Sequence, residues 1–129
     1  MAGMTIEIPP ARWAQFCDKL NESQLGTMMD IRLEAGGDLR LVAQSVPLQA
    51  AVFVETRDAC NSIILIEFGL PDERPVQHSV VDPARIILRK QSDSDRYNLL
   101  EMVAENGMTV IIFHPGINRK VLNDLQIAA

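Results

Sequence analysis

At Gly26 the apolar side chains stop recurring at helical spacing and begin to alternate, and that single change limits what the chain can fold into. Before it, Trp13, Phe16, Cys17 and Leu20 stand at i, i+3, i+4 and i+7, the spacing of one helix face. Arg12, Gln15, Asp18, Lys19 and Glu22 occupy the other side. Pro10 suits a first helical turn, where a missing N–H needs no partner. The spacing predicts a helix from Pro10 to Leu25, stopped by Gly26.

After Gly26 the period is two. Met29, Ile31 and Leu33 alternate with Asp30, Arg32 and Glu34; Leu39, Leu41 and Ala43 alternate with Arg40, Val42 and Gln44. Gly36-Gly37 between them takes the positive φ angles of a tight hairpin. Pro47 lacks a donor and is expected to break the ladder, so that Leu48 to Glu55 starts a new strand. Residues 57–61 read as a polar turn. Ile63-Ile64-Leu65-Ile66 is a continuous apolar run, expected in a central strand covered on both faces. Residues 69–75 form a surface loop. Val76 to Val81 is a strand ended by Asp82-Pro83 and resumed over Ala84 to Lys90. Tyr97–Ala104 and Met108–His114 flank Glu105-Asn106-Gly107, a strong hairpin signal. Pro115-Gly116 is expected to close the last strand. Thr5 to Ile8 reads as a short edge strand after a loose start at 1–4. In the tail, 117–129, Val121, Leu122 and Leu125 stand at helical spacing, giving a short helix or a frayed end.

The whole is an α+β chain: an N-terminal helix on a curved antiparallel sheet, or a small partly open barrel, of about six to eight strands. No linker divides it, so residues 1–129 form a single domain. Hydrophobic residues make up 47% of the chain, enough to build a core without disulfides or metal. Successive βαβ signals, GxGxxG and the phosphate-binding P-loop pattern are absent.

Twelve basic against 17 acidic side chains leave a formal net charge of −5, which disfavours nucleic acid, because that affinity rests on Lys and Arg displacing counterions. Arg85, Arg89 and Lys90 are the nearest thing to a basic patch and read as a solvated strand end. No stretch approaches the roughly 20 apolar residues of a membrane span, and no secretory signal opens the chain. The expectation is therefore a cytoplasmic protein with reduced thiols and no membrane partner.

Several residues invite chemistry. His78 and His114, with Glu67 or Asp82, have ligating side chains, but their spacing matches no metal motif, so no metal is expected. Cys60 is a weak nucleophile candidate: its only neighbouring cation, Arg57, is opposed by Asp58. Cys17 belongs to a core helix face. Asp93 and Asp95, with Ser92 and Ser94, lack the glycine and distal glutamate of a calcium loop. Asp72 and Glu73 read as loop solubilisers. Trp13 is either a pocket wall or the anchor of the helix, the second being the stronger reading. No catalytic residue and no cofactor is expected.

In order along the chain come Glu7-Ile8-Pro9 and Trp13, Val46-Pro47-Leu48, His78-Ser79-Val80 with Pro83 and Ile86, and Asn106-Gly107 before a last apolar strand. That series resembles a family of small bacterial proteins known only as a domain of unknown function, over about residues 5 to 114. The resemblance implies a compact helix-plus-β domain and brings no activity, cofactor or catalytic residue. The tail after His114 is longer than that family's. The helix-then-strands order is also similar in architecture to Sm-like barrels, but the acidic charge argues against their RNA binding.

Two readings of function follow. The leading one is a non-enzymatic binding or protein-interaction module of a bacterial cytosolic protein, self-associating as a homodimer or binding a protein partner through Phe53, Leu70, Val121, Leu122 and Leu125. The other is a small ligand-binding or enzymatic barrel whose pocket gathers His78, Arg85, Tyr97 and His114, which requires those four groups to converge.

Overall fold

The computed structural model of the protein describes residues 5–56, 61–90, 95–123 and 125. Strand β1 (Thr5–Ile8) leads through a single 3-10 turn (Pro10–Arg12) into helix α1 (Trp13–Ser23). Strands β2 (Met28–Ala35), β3 (Asp38–Thr56), β4 (Asn61–Phe68), β5 (Val76–Val81), β6 (Arg85–Arg89), β7 (Arg96–Ala104) and β8 (Gly107–Asn118) follow, and helix α2 (Arg119–Asn123) ends the order. The strands form one antiparallel sheet in the order β1-β6-β7-β8-β2-β3-β4-β5, which does not close. Sheet dominates the chain, so the α+β label fits only loosely, and the barrel is an open one.

The helix forms where its apolar stripe predicts. Trp13, Phe16, Cys17 and Leu20 are its buried residues. Trp13 holds it down: its Nε1 donates to the Ile8 carbonyl at 2.9 Å, and its ring meets Phe53 edge-on at 6.1 Å between centroids. The helix ends two residues before the predicted Leu25, and Gly26 turns the chain at φ +79°.

Both glycine hairpins form, joining β2 to β3 and β7 to β8. Gly107 opens β8 directly opposite Ala104, and a Cβ there would lie 2.5 Å from the Glu34 carbonyl oxygen, so the position takes only glycine. The apolar runs of β4 and β8 are interior strands of the order, as expected, but the cover expected on both faces of β4 is present on one only: Ile64 and Ile66 are buried, whereas Ile63 and Leu65 are half-exposed on the other face.

Three expectations need correction. Pro47 does not break the ladder: β3 runs 19 residues straight through it. Pro47 is the last partner of β2, opposite Met28, and Leu48 is the first partner of β4, opposite Phe68. The missing N–H therefore falls where the strand changes neighbours and costs no ladder bond. Two register shifts against β2, and Ser45 at φ +52° donating its N–H to Asp30 Oδ1 at 2.8 Å, bend β3 between the two halves. Pro115-Gly116 likewise does not end β8, which continues to Asn118 and pairs Ile117 with Tyr97. A Cβ at Gly116 would sit 2.7 Å from the Asn98 backbone, which explains the glycine. Finally, β6 does not resume β5. Asp82, at φ +49°, turns the chain, and β6 pairs with β1 and β7 near the far end of the order.

The core fills the space between the inner faces. Ile31, Ile86, Leu88, Leu100 and Ile111 are fully buried there, with Ile64 and Ile66 from the other half. The bend in β3 folds β5 over, and His78 of β5 reaches Thr109 of β8 at 2.9 Å.

Candidate functional site

The four residues proposed to share a pocket have separate surroundings. His78 is half-buried, and its Nε2 lies 2.9 Å from the Thr109 hydroxyl. Burial of this ring, which disfavours its charged form, lowers its pKa below the ordinary 6.5. Arg85 is exposed, and its Nη2 donates to Glu7 Oε1 at 2.7 Å across β1 and β6. That hydrogen bond holds the Glu7 carboxyl below its usual range. Tyr97 is wholly buried, with Lys90 Nζ 5.4 Å from its ring centre. His114 is exposed, and its Nε2 stands 3.6 Å from Asp30 Oδ2. No described groove is lined by two of the four.

The other chemical candidates are similarly engaged. Glu67 accepts from Gln77 Nε2 at 2.7 Å, and Asp82 Oδ1 accepts the Ser62 N–H at 3.1 Å. Among the described residues no group of three or more His, Cys, Asp or Glu side chains could hold a metal ion. Cys17 is buried in the helix–sheet contact, and that desolvation raises its thiol pKa to about 12, so it stays protonated. Cys60, Ser92, Asp93 and Ser94 lie outside the described residues; Asp95 is described, and its carbonyl accepts the Arg119 N–H. Of the suggested basic patch, Arg85 pairs with Glu7 and Arg89 with Glu101 at 2.9 Å. Trp13, Phe53, Glu55 and Ser62 border a groove of about 460 Å³ in which Glu55 is the only charged group among the described residues.

The proposed contact residues divide. Leu70 is exposed. Phe53 is half-covered by Trp13 and packs against the core. Leu122 and Leu125 are corrected from surface to core: both are buried within the hydrophobic core, with Val121 partly buried against it.

The sequence reading missed the surface that the fold assembles from β3, β4 and β5. On their outer side Val52 stands opposite Leu65, and Leu65 opposite Ser79; Val54 stands opposite Ile63, and Ile63 opposite Val81. These two cross-strand rows carry no charge. Val52 and Val54 are each 38% exposed and Val81 53%. The alternation in β3 was visible in the sequence. Which of its faces meets water was not, because that depends on α1 covering the other side.

The same end of the sheet holds an unguarded edge. Asp82 N–H donates to the Ser62 carbonyl at 2.7 Å, which fixes the alternation of hydrogen-bonded pairs between β4 and β5. Val76, His78 and Val80 turn their backbone groups to β4; Gln77, Ser79 and Val81 turn theirs away from the sheet. Beside this edge runs a groove of about 190 Å³ lined by His78, Val80, Leu33, Gly107 and Thr109 among others.

Comparison with known proteins leaves the chain by itself: no family model, no curated protein and no solved structure matches it. No helix among the described residues is long and apolar enough to cross a membrane.

Proposed function

We propose that the protein is a non-enzymatic protein-interaction module, and that the β3–β4–β5 end of its sheet is the surface it uses. The observation that carries this reading is the pair of uncharged aliphatic rows, Val52–Leu65–Ser79 and Val54–Ile63–Val81, lying beside an edge strand whose Gln77, Ser79 and Val81 backbone groups turn away from the sheet. Contiguous exposed apolar surface on a small domain marks an interaction site. A pocket around His78, Arg85, Tyr97 and His114 has no such support, since each has its own local surroundings. Bacterial origin, a cytosolic setting and kinship with the uncharacterised bacterial family belong to this same proposal.

The test is site-specific photo-crosslinking in cells that make the protein. A benzophenone side chain at Val54 should give adducts of defined mass, while the same probe at Gln15, exposed on α1, should not. The partner so identified should bind the purified chain saturably and lose at least tenfold in affinity with Val54→Lys. Equal or absent labelling at the two positions overturns the reading.

A further inference from the structure

Among the described residues, the free edges at β1 and along both halves of β3 are guarded, and that of β5 is not. β1 is four residues long, carries Glu7, and runs straight into Pro9-Pro10. The first half of β3 carries Asp38 and Arg40 and is bent by two register shifts. The second half of β3 is capped by α1: Asn21 Nδ2 donates to the Ala51 carbonyl at 2.8 Å, and the Ala51 N–H donates to Asn21 Oδ1 at 2.7 Å. Such short, charged, bent or covered edges are how monomeric sheets avoid pairing with other chains. Among the described residues β5 has no charge, proline or bend to guard it, and what lies beside its Ser79 and Val81 is a groove, with Leu33, Ala104 and Gly107 on its other wall, and no hydrogen-bonded strand. Val-Gln-His-Ser-Val-Val contains no Lys, Arg, Asp, Glu or Pro, and its register against β4 runs without a shift.

We infer that the β5 edge pairs antiparallel with the β5 edge of a second copy of this chain, about a two-fold axis at Ser79. The groups that face away from the sheet, at Gln77, Ser79 and Val81, are arranged symmetrically about Ser79. A two-fold there sets Ser79 against Ser79 and Gln77 against Val81, so every outward N–H and C=O of those residues finds a partner. No ionised side chain of one β5 opposes another, although the chain as a whole carries −5. Outer sides stay on one face across such an axis, so the aliphatic rows of both copies become one surface on a six-stranded sheet. This inference rests on the interaction-module reading and deepens it: the edge takes the second copy, and the doubled face meets the partner. Edge pairing buries little area, which places the dimer in the weak class of interfaces below about 1,200 Å².

The test is sedimentation equilibrium of the full chain from about 10 µM to about 1 mM, a range that spans weak association. Wild type should pass from monomer toward dimer. Ser79→Lys, an exposed substitution that sets two like charges at the axis, should stay monomeric with an unchanged circular dichroism spectrum and melting temperature. In a Cys60→Ser background, Ser79→Cys should form an intermolecular disulfide under mild oxidation. Facing Cα atoms in a hydrogen-bonded pair lie about 5.5 Å apart, within disulfide reach. Val81→Cys, which faces Gln77 instead, should not cross-link. A wild type that is monomeric throughout, with no Ser79→Cys cross-link, overturns the pairing. So does a dimer that Ser79→Lys leaves intact, since the copies then meet elsewhere. Neither result touches the Val54 cross-linking that decides the broader reading.

Discussion

The two outer faces of this sheet are built from the same alternating strands and are finished in opposite ways. On β6, β7, β8 and β2, apolar residues such as Ile87 and Val110 point outward, yet they are only 4% and 9% exposed. Ile87 sits between Arg85 and Arg89 on its own strand and opposite Glu7 and Glu101 on its neighbours, and these charged groups pair as Arg85–Glu7 and Arg89–Glu101. Long charged side chains of this kind cover neighbouring apolar surface with their hydrocarbon stems while keeping their charged ends in water. Among the described residues the outer side of β3, β4 and β5 carries no such ion pair, and Val52, Val54 and Val81 meet solvent. Paired surface charges contribute little to stability as pairs. Here their consequence is to hold cover in place, and the end of the sheet without them is the end proposed above to meet another molecule.

Truncations should separate the two faces by size of effect. Ile87→Ala removes a covered side chain and should cost about 2–5 kcal/mol, toward the lower figure because its pocket opens to solvent; urea denaturation measures it. Asn21→Ala comes next. It strips both partners from the Ala51 backbone and should cost about 1–3 kcal/mol. It also creates a second bare edge, so the variant should associate in sedimentation even when Ser79→Lys is present. If Asn21→Ala leaves both stability and association unchanged, the contrast between guarded and bare edges is broken.

How far the sequence revealed this follows from which features are local. The helix face from Trp13 to Leu20, the Gly36-Gly37 and Asn106-Gly107 hairpins, and the central runs of β4 and β8 each depend on a few adjacent residues, and all are present. Pro47 and Pro115 misled because a proline's cost depends on whether its missing N–H would have had a partner. That is a property of the neighbouring strand. Leu122 and Leu125 misled for a related reason: an amphipathic tail looks alike whether it docks or stays free. The site was the least legible part. Val52, Leu65 and Val81 lie on three strands, and nothing along the chain says they become neighbours on one uncovered face.

His78 joins the bare end of the sheet to the guarded one through Thr109, and it makes that junction sensitive to pH. Its folded pKa lies below 6.5 because burial opposes the charged ring. The unfolded chain therefore takes up the proton first as pH falls. The contribution to stability is full above about pH 6.5 and is lost on acidification through the lowered folded value. The urea midpoint should fall between pH 7.5 and pH 5.5 by more in wild type than in His78→Gln. An equal fall in both would mean that the junction does not depend on the neutral ring.

The smallest expected effect is the most discriminating. Val54→Lys places a charge at a solvent-facing position and gives up only its cross-strand contact with Ile63, so its stability should stay within about 1 kcal/mol of wild type. Ile87→Lys, on the other face, must push a charge beneath the paired arginines and should unfold at clearly lower urea. Dye that fluoresces on apolar surface should bind the folded wild type and lose that binding in Val54→Lys, with Ile87 untouched. Similar destabilisation at positions 54 and 87 would mean that the β3–β4–β5 face is already covered within the chain. It would then have no apolar surface to offer a partner, whatever the β5 edge does.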